Sequence, residues 1–187
     1  QPSCNLLVLQ SLGGQQHDAC PFRQPYAHLP PLGGGLHNAI VNAANTHLSP
    51  GSGVCGAIHR AAGPELAAAC APLAPCPTGH ACITPGFRLP ARWVIHAVGP
   101  RWLGGDHDEP QLLASAYRES LRLADEHGCT SIAFPAISTG IYGYPLDEAT
   151  AIAVATVRDA RGLRSLRDVT FACFSHDTLA AYQKAMA

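Results

Sequence analysis

Short apolar runs alternate with stretches of helical periodicity along most of the chain. The apolar runs predict six β-strands, which read NLLVLQ (5–10), NAIVNA (38–43), HACIT (80–84), RWVIHAV (92–98), SIAFPAI (131–137) and DVTFACF (168–174). Helices are predicted over residues 54–62, 64–70, 109–127, 147–160 and 177–186. This alternation favours a three-layer α/β/α sandwich around a mixed, largely parallel central sheet. No internal repeat is visible, and we expect residues 1–187 to form a single domain.

Glycine, proline and acidic residues mark the ends of the predicted helices. Gly63 suits a C-terminal cap, and Pro64 suits the first turn of the helix that follows. Gly128 stands where the long third helix is expected to end. Asp147 and Glu148 are favourably placed at the positive end of the fourth helix.

The composition limits the class of protein. Apolar residues make up 47% of the 187 residues and charged residues 13%, which favours a folded domain with a sizeable core. Twelve basic and thirteen acidic residues give a net charge of −1, so bulk nucleic-acid binding is not expected. No apolar run reaches the roughly 20 residues of a membrane span, and the first ten residues do not resemble a signal peptide. We therefore expect a cytoplasmic monomer that does not bind membranes.

Cysteines occur at positions 4, 20, 55, 70, 76, 82, 129 and 173. A chain with a core of this size does not need disulfides, so reduced and mostly buried thiols are expected. No CxxC pair is present, which gives little support to a structural zinc site.

Two glycine-bearing segments follow predicted strands. The first, SPGSGVCGAIH (49–59), leads from a strand into the start of a helix, where free amides and the helix dipole favour an anion. The second, AISTGIYGYP (136–145), supplies a turn whose amides can form an anion-binding concavity. In parallel sheets, ligands bind beyond the carboxyl ends of the strands. The two segments together predict a site for a phosphate-bearing ligand.

The chain resembles a macrodomain, the ADP-ribose-binding α/β/α module, and in particular the MacroD-type branch that removes ADP-ribose from acidic side chains. The residues that carry the resemblance are NAIVNAAN (38–45), GVCGAIHRAAGPEL (53–66), RLPARWVIHAVGP (88–100) and AFPAISTGIYGYP (133–145). They agree with the family in order and spacing, and the resemblance extends over about residues 38–187. It implies ADP-ribose, O-acetyl-ADP-ribose or mono-ADP-ribosylated proteins as partners, with no cofactor and no metal.

The resemblance also implies roles for individual residues. Asn45 corresponds to an asparagine that binds the distal ribose hydroxyls, and Asn42 to one that orders the loop. His59 corresponds to a residue near the distal ribose, and the candidate catalytic residues are Asn45, Cys55 and His59. The expected phosphate contacts are Gly51, Gly53, Val54, Gly56, Ser138, Thr139, Gly140, Ile141, Tyr142 and Gly143.

Two aromatic residues complete the implied site. Tyr142 covers the phosphates and the distal ribose side, and Phe174 forms an adenine wall. Each residue also has a structural alternative: Asn45 as a turn former, Tyr142 as a surface aromatic residue, and Phe174 and His59 as packing residues.

One departure from the family lies at Cys55, where MacroD-type enzymes usually read GVDG. Their aspartate is thought to position or activate the attacking water. A neutral thiol is a poorer acceptor, although a helix N-terminus and His59 can in principle favour a thiolate. Loss of a general base typically costs about 10²–10⁴-fold in rate. A slow hydrolase is therefore expected.

A second departure lies in the Gly/Pro-rich loop at about residues 11–36. The family normally places an adenine-reading aspartate directly after the first strand, but here Ser11 and Leu12 follow it. Asp18 is the nearby acid that can substitute for it. A loop of this length without periodicity is typical of functional or disordered segments.

Three functions remain open from the sequence. The first is hydrolysis of ester-linked ADP-ribose on acidic residues, or deacetylation of O-acetyl-ADP-ribose. The second is a reader module that binds ADP-ribose or ADP-ribosylated protein without turnover, which Cys55 favours. The third is a zinc-dependent variant with Cys55 and His59, at helical i, i+4 spacing, as two ligands.

Overall fold

The computed structural model describes residues 2–8 and 39–187. Its six-stranded sheet has the order β1-β6-β5-β2-β4-β3, in which β3 is antiparallel to β4 and the other neighbours are parallel. The strands are β1 (Ser3–Val8), β2 (Ala39–Ala43), β3 (Ala81–Pro85), β4 (Trp93–Ala97), β5 (Ser131–Phe134) and β6 (Asp168–Cys173). The predicted mixed, largely parallel sheet is confirmed.

Helices cover both faces of this sheet. They are α1 (Gly53–Ala62), α2 (Pro64–Cys70), α3 (Glu109–Glu126), α4 (Leu146–Asp159) and α5 (His176–Met186), with a 3₁₀ turn at Ala71–Leu73 that was not predicted. One buried cluster joins the sheet to α1 and α2, and the other joins it to α3, α4 and α5. Within β2, Ile40 belongs to the first cluster while Ala39 and Val41 belong to the second. This period of two is that of a strand buried on both faces.

Local residues set the ends of these elements. Gly63 ends α1 at φ +92°, where its amide donates to the His59 carbonyl, and Pro64 begins α2, as predicted. The prediction for β5 was too long, because the strand ends at Phe134 and not at Ile137. Pro135 follows Phe134 directly and has no N–H to continue the ladder.

No helix in the described part of the chain is long and apolar enough to span a bilayer. Its seven cysteines are all free thiols. Residues 9–38 lie outside the described residues, and with them the predicted loop at 11–36 and Asp18.

Candidate ligand-binding site

A cavity of about 440 Å³ lies where the chain leaves β2 and β5. One wall is the segment that leads from β2 to the start of α1, and the opposite wall is the segment after β5. Both segments follow the carboxyl ends of neighbouring parallel strands, which is where ligands bind in such sheets. We call this space the ligand cavity; its lining residues are Ala43, Ala44, Asn45, Gly51, Ser52, Gly53, Val54, Cys55, Gly99, Pro135, Ala136, Ile137, Ser138, Thr139, Gly140, Ile141, Tyr142, Phe174 and Thr178.

Asn45 holds its own loop in shape. Its Oδ1 accepts from the backbone amides of His47 and Ser49 at 3.1 and 3.3 Å and from the Ser49 hydroxyl at 3.3 Å. Its Nδ2 donates to the Ser49 carbonyl at 2.9 Å. An amide nitrogen carries two hydrogens, so Asn45 keeps one donor for a ligand while its oxygen is already engaged.

A chain of hydrogen bonds connects this loop to the buried sheet. Cys55 Sγ donates to the Ser49 carbonyl and accepts from Asn42 Nδ2, both at 3.6 Å. Asn42 Nδ2 also donates to His96 Nδ1 at 3.1 Å, and His96 Nε2 lies 3.0 Å from Thr84 Oγ1. Burial lowers the pKa of His96 to about 3, with a smaller contribution from His59, so this imidazole is neutral. Because Nδ1 accepts, the single ring proton is on Nε2 and is donated to Thr84.

The start of α1 forms part of the cavity wall. Gly53 begins the helix at φ +58°, a backbone conformation that favours glycine. The first hydrogen bond at this end of the helix runs from the Gly56 amide to the Ser52 carbonyl. The first amides of a helix have no intrahelical acceptor, and those of Gly53, Val54 and Cys55 belong to residues of the cavity wall. These donors and the helix dipole make this wall suitable for an anion.

The segment after β5 contributes a hydroxyl without a partner. Ser138 has φ +69° and is 7% exposed, and its Oγ has no hydrogen-bond partner among the described residues. A Cβ at Gly99 would lie 2.3 Å from that Oγ and 2.5 Å from Ile137 Cγ2, so only glycine permits this approach of the two segments. A buried unpaired polar group costs about 1–3 kcal/mol, which makes the Ser138 hydroxyl a candidate partner for a ligand in this cavity.

The rim beside this segment is fixed by the loop that follows β4. Trp102 donates its amide to the Tyr142 carbonyl at 2.8 Å, and the Arg101 guanidinium lies 5.3 Å from the centre of the Tyr142 ring. The buried Glu109 carboxylate accepts from the amides of Leu103, Gly105 and His107. Burial favours a raised pKa for Glu109, but these amides outweigh it and lower the pKa to about 2. Tyr142 is thus held from outside the ligand cavity.

At the other end of the cavity, Phe174 and Thr178 form the wall where β6 leads into α5. Ser175 caps α5 by accepting from the Thr178 amide at 3.1 Å, and the two hydroxyls lie 2.9 Å apart. This end offers an aromatic face next to a hydroxyl.

Most of the predicted site residues meet in this cavity. Asn45, Gly51, Gly53, Val54, Cys55, Ser138, Thr139, Gly140, Ile141, Tyr142 and Phe174 all line it. Asn42 and Gly143 are not among its lining residues, and Gly56 and His59 line a different cavity on the outer face of α1. The lining residues that were not predicted are Ala43, Ala44, Ser52, Gly99, Pro135, Ala136, Ile137 and Thr178. Ser52 and Gly99 lie within the quoted SPGSGVCGAIH and HAVGP runs, whereas Thr178 lies outside the quoted motifs.

The cavity walls carry no formal charge among the described residues. Their lining contains no Asp, Glu, His, Lys or Arg, so a bound anion would meet amides, hydroxyls and the helix dipole. The predicted alternative of a zinc ion on Cys55 and His59 is not supported by this arrangement, because the two side chains line separate cavities.

A second set of metal-binding residue types lies behind the cavity. The ligand atoms of His59, Cys70 and His96 are within 4.8 Å of one another, and all three residues are buried. However, both nitrogens of His96 are already engaged, by Asn42 and Thr84. Burial, with Cys55 and Cys82 nearby, raises the pKa of Cys70 to about 11, so its thiol is protonated at neutral pH. The structure holds these residues as a hydrogen-bonded cluster, in which Cys70 Sγ also lies 3.5 Å from His96 Nε2.

The fold and the cavity, whose described lining carries no charged side chain, define an α/β/α module with a site suited to an anion. The family model for the Macro domain matches residues 41–153. A macro domain-containing protein of Chlorobaculum tepidum is 61% identical over 151 residues, which cover 80% of this chain and 88% of that protein. The chain belongs to the macrodomain family, as its motifs predicted.

Relatives with more specific names and solved structures agree with this assignment. A protein of Citrobacter rodentium named O-acetyl-ADP-ribose deacetylase is 54% identical over 152 residues, which cover 79% of this chain and 86% of that protein. The structure of the Oceanobacillus iheyensis macrodomain with ADP superposes on this chain with a TM-score of 0.76 and 43% sequence identity. The match covers 81% of this chain and 84% of that chain. The Trypanosoma brucei macrodomain in complex with ADP-ribose has a TM-score of 0.73 and 44% identity, over 81% and 64% of the two chains.

Proposed function

We propose that this chain binds ADP-ribose in the ligand cavity. The observation that carries the proposal is the pairing of the free amides at the start of α1 with the unpartnered Ser138 hydroxyl across one cavity. A diphosphate fits between these donors, Asn45 has one amide hydrogen for the distal ribose, and Phe174 offers a face to the adenine. The structures of two similar macrodomains with ADP and with ADP-ribose support the same ligand.

The reaction that we propose is hydrolysis of an ester of ADP-ribose. The substrates are O-acetyl-ADP-ribose and proteins that carry mono-ADP-ribose on Asp or Glu. Relatives from Citrobacter and Enterobacter that are more than half identical are named O-acetyl-ADP-ribose deacetylases, which supports the first substrate. The oxygen of a water forms a bond to the acyl carbon, the bond from that carbon to the ribose oxygen breaks, and the ribose oxygen takes the proton.

Turnover is expected to be slow because the described part of the cavity wall offers no general base. The described lining has no carboxylate or imidazole, and the Cys55 thiol uses its hydrogen on the Ser49 carbonyl. The water would be held by backbone groups and by the phosphate of the ligand. The rate enhancement then comes from positioning and from preorganised donors, with the loss of about 10²–10⁴-fold that an absent base typically causes.

The same observation favours a second candidate function, a reader that binds ADP-ribosylated protein without turnover. An asparagine amide is not a base, and the Cys55 thiol keeps its hydrogen on the Ser49 carbonyl, so neither side chain supplies a general base for water. The two candidates share the ligand and differ only in whether the ester bond is broken.

One assay separates the two functions. Wild type, Asn45→Ala, Cys55→Ser and Cys55→Asp are incubated with a peptide mono-ADP-ribosylated on glutamate, and with O-acetyl-ADP-ribose, while released ADP-ribose is followed. We expect slow release by wild type, loss of release in Asn45→Ala, and release at least about tenfold faster in Cys55→Asp because a carboxylate can accept the proton. Cys55→Ser keeps a donor of similar size and controls for the loss of sulfur.

Binding of ADP-ribose is measured on the same proteins by calorimetry. Binding without release by wild type, together with release by Cys55→Asp, would assign the reader function. Absence of ADP-ribose binding in wild type would contradict both candidates.

A further inference from the structure

A second cavity lies on the outer face of α1, next to the ligand cavity. It has a volume of about 390 Å³ and is lined by Gly51, His59, Arg60 and Arg88 among others; we call it the Arg60 cavity. Gly51 lines both cavities. A Cβ at Gly56 would lie 2.2 Å from the Gly51 carbonyl oxygen, which shows how closely α1 packs against this wall. A wall one residue thick therefore separates the two cavities.

The floor of the Arg60 cavity is a histidine without a hydrogen bond. His59 is 7% exposed, and neither ring nitrogen has a partner among the described residues. Burial lowers the pKa of His59, so the ring is neutral at pH 7 and offers one donor and one acceptor. Both ring nitrogens are closed off from solvent and the ring lies beside His96, 6.2 Å between ring centres, so His59 shapes this cavity without donating into it.

The rim of the Arg60 cavity is positively charged. Arg88 is paired with Glu65 at 3.1 Å, but in the described part of the chain no carboxylate pairs with Arg60. A Cβ on Gly56 would lie 3.2 Å from one terminal nitrogen of Arg60. Because Gly56 has no side chain, the Arg60 guanidinium can lie across the helix toward Gly51. A guanidinium binds carboxylates through two parallel hydrogen bonds.

The position of this charge bears on the substrate. In the proposed function, Asn45 meets the distal ribose, and a Cβ at Gly51 would be only 3.8 Å from Asn45 Nδ2 and 3.7 Å from Cys55 Sγ. The group esterified to that ribose therefore leaves the ligand cavity beside Gly51. An acetyl group is neutral and gains nothing from Arg60, whereas an acidic polypeptide segment carries further carboxylates.

We propose that the Arg60 cavity binds a carboxylate of the polypeptide that carries the ADP-ribose, which makes ADP-ribosylated acidic segments the preferred substrate class. This inference rests on the proposed function, because it needs the distal ribose beside Gly51. The carboxylate accepts from the Arg60 guanidinium.

The test is a comparison of two peptides that carry ADP-ribose on one residue through a non-hydrolysable linkage. One peptide has glutamates on both sides of the modified residue, and the matched peptide has glutamines there. Their Kd values are measured for wild type, Arg60→Gln, Arg60→Lys and Arg118→Gln. Arg118 is an exposed arginine on α3, far along the chain from this cavity, and controls for the loss of one positive charge.

Wild type and Arg118→Gln should bind the acidic peptide about fivefold more tightly than the neutral one. Arg60→Gln should bind both peptides equally, Arg60→Lys should keep part of the preference, and free ADP-ribose should bind all four proteins within twofold. If wild type bound the acidic and the neutral peptide with equal affinity, the inference would be overturned while ADP-ribose binding stayed intact. The same holds if Arg118→Gln lost as much of the preference for the acidic peptide as Arg60→Gln. Failure of free ADP-ribose to bind wild type would instead overturn the proposed function, and the inference with it.

Discussion

The ligand cavity and the groove between α3 and α4 differ in how their polar groups are paired. The groove is larger, about 820 Å³ against about 440 Å³, and many of its side chains are charged. Some of these charged side chains form ion pairs with one another: Arg122 pairs with Glu119 at 2.8 Å and with Glu126 at 2.7 Å. The Asp125 carboxylate accepts from the backbone amides of residues 164–166. The ligand cavity carries no charged side chain among its described lining residues, yet its Ser138 hydroxyl has no partner there.

This difference teaches that unmet hydrogen-bonding capacity in the cavity wall, more than volume or charge, distinguishes the ligand cavity from the groove. Exposed ion pairs such as those of Arg122 contribute little, and they occupy the donors that form them. Free amides at a helix start and a buried hydroxyl without an acceptor gain their partners only when an anion arrives. An uncharged cavity can therefore bind a diphosphate while a charged groove remains ordinary surface.

The largest effect is expected from Gly99→Ala. The added Cβ would lie 2.3 Å from Ser138 Oγ and 2.5 Å from Ile137 Cγ2, so the segment after β5 must move. Displacements of about 1 Å cost about 100-fold in well-ordered sites, and overpacking destabilises by about 1–3 kcal/mol. Calorimetry with ADP-ribose and urea unfolding measure the two effects.

Gly162→Asn is the matched control for Gly99→Ala. Gly162 lines the groove, has φ +76°, and has nothing within 4 Å of an added Cβ. Asparagine tolerates this backbone conformation, so ADP-ribose affinity should be unchanged. Unchanged affinity in Gly99→Ala would contradict the close approach that we assign to the two cavity segments.

A smaller and more specific effect is expected from Ser138→Ala. The variant should lose about tenfold in ADP-ribose affinity, since one hydrogen bond to an anion contributes about 1.5 kcal/mol or more. Its free energy of unfolding should not fall, because the hydroxyl has no partner within the described protein. Ser120→Ala is the opposite case: that buried hydroxyl donates to the Ala116 carbonyl at 2.7 Å, away from the cavity, so its removal should leave affinity unchanged. Equal affinities of wild type and Ser138→Ala would show that Ser138 does not meet the ligand.

The smallest effect is expected from Arg122→Gln in the groove. It removes two exposed ion pairs, so the free energy of unfolding should fall by less than about 1 kcal/mol. ADP-ribose affinity should match that of wild type within twofold. A clear loss of affinity would mean that the groove takes part in binding, and the comparison above would fail.

The sequence predicted the order of strands and helices, because each element carries its own periodicity. Helix ends such as Gly63–Pro64 were predictable for the same local reason, and the end of β5 could have been taken from Pro135. The contact between Gly99 and Ser138 could not be predicted, because it joins residues 39 positions apart whose meeting depends on the sheet order.

The placement of His59 illustrates a second limit. Spacing of i, i+4 puts Cys55 and His59 on one face of α1, and a shared pocket was expected. In the structure, Cys55 lies in the first turn of α1, near the ends of the strands. His59 lies one turn further along the same helix, and its ring centre is 6.2 Å from that of His96 on β4. The loop 44–52 lies between the cavity that Cys55 lines and the cavity that His59 lines. Helical periodicity contains no information about the course of that loop.

The central claim is that ADP-ribose is held by the backbone amides of the ligand cavity, and amide NMR tests it most directly. ¹⁵N-labelled protein is titrated with ADP-ribose and the amide shifts are assigned. We predict the largest shifts at Gly53, Val54 and Cys55 and across residues 138–143, with saturation at one equivalent and no change at residues 118–126. Shifts concentrated at residues 118–126, or small shifts at the start of α1 with full saturation elsewhere, would contradict the account.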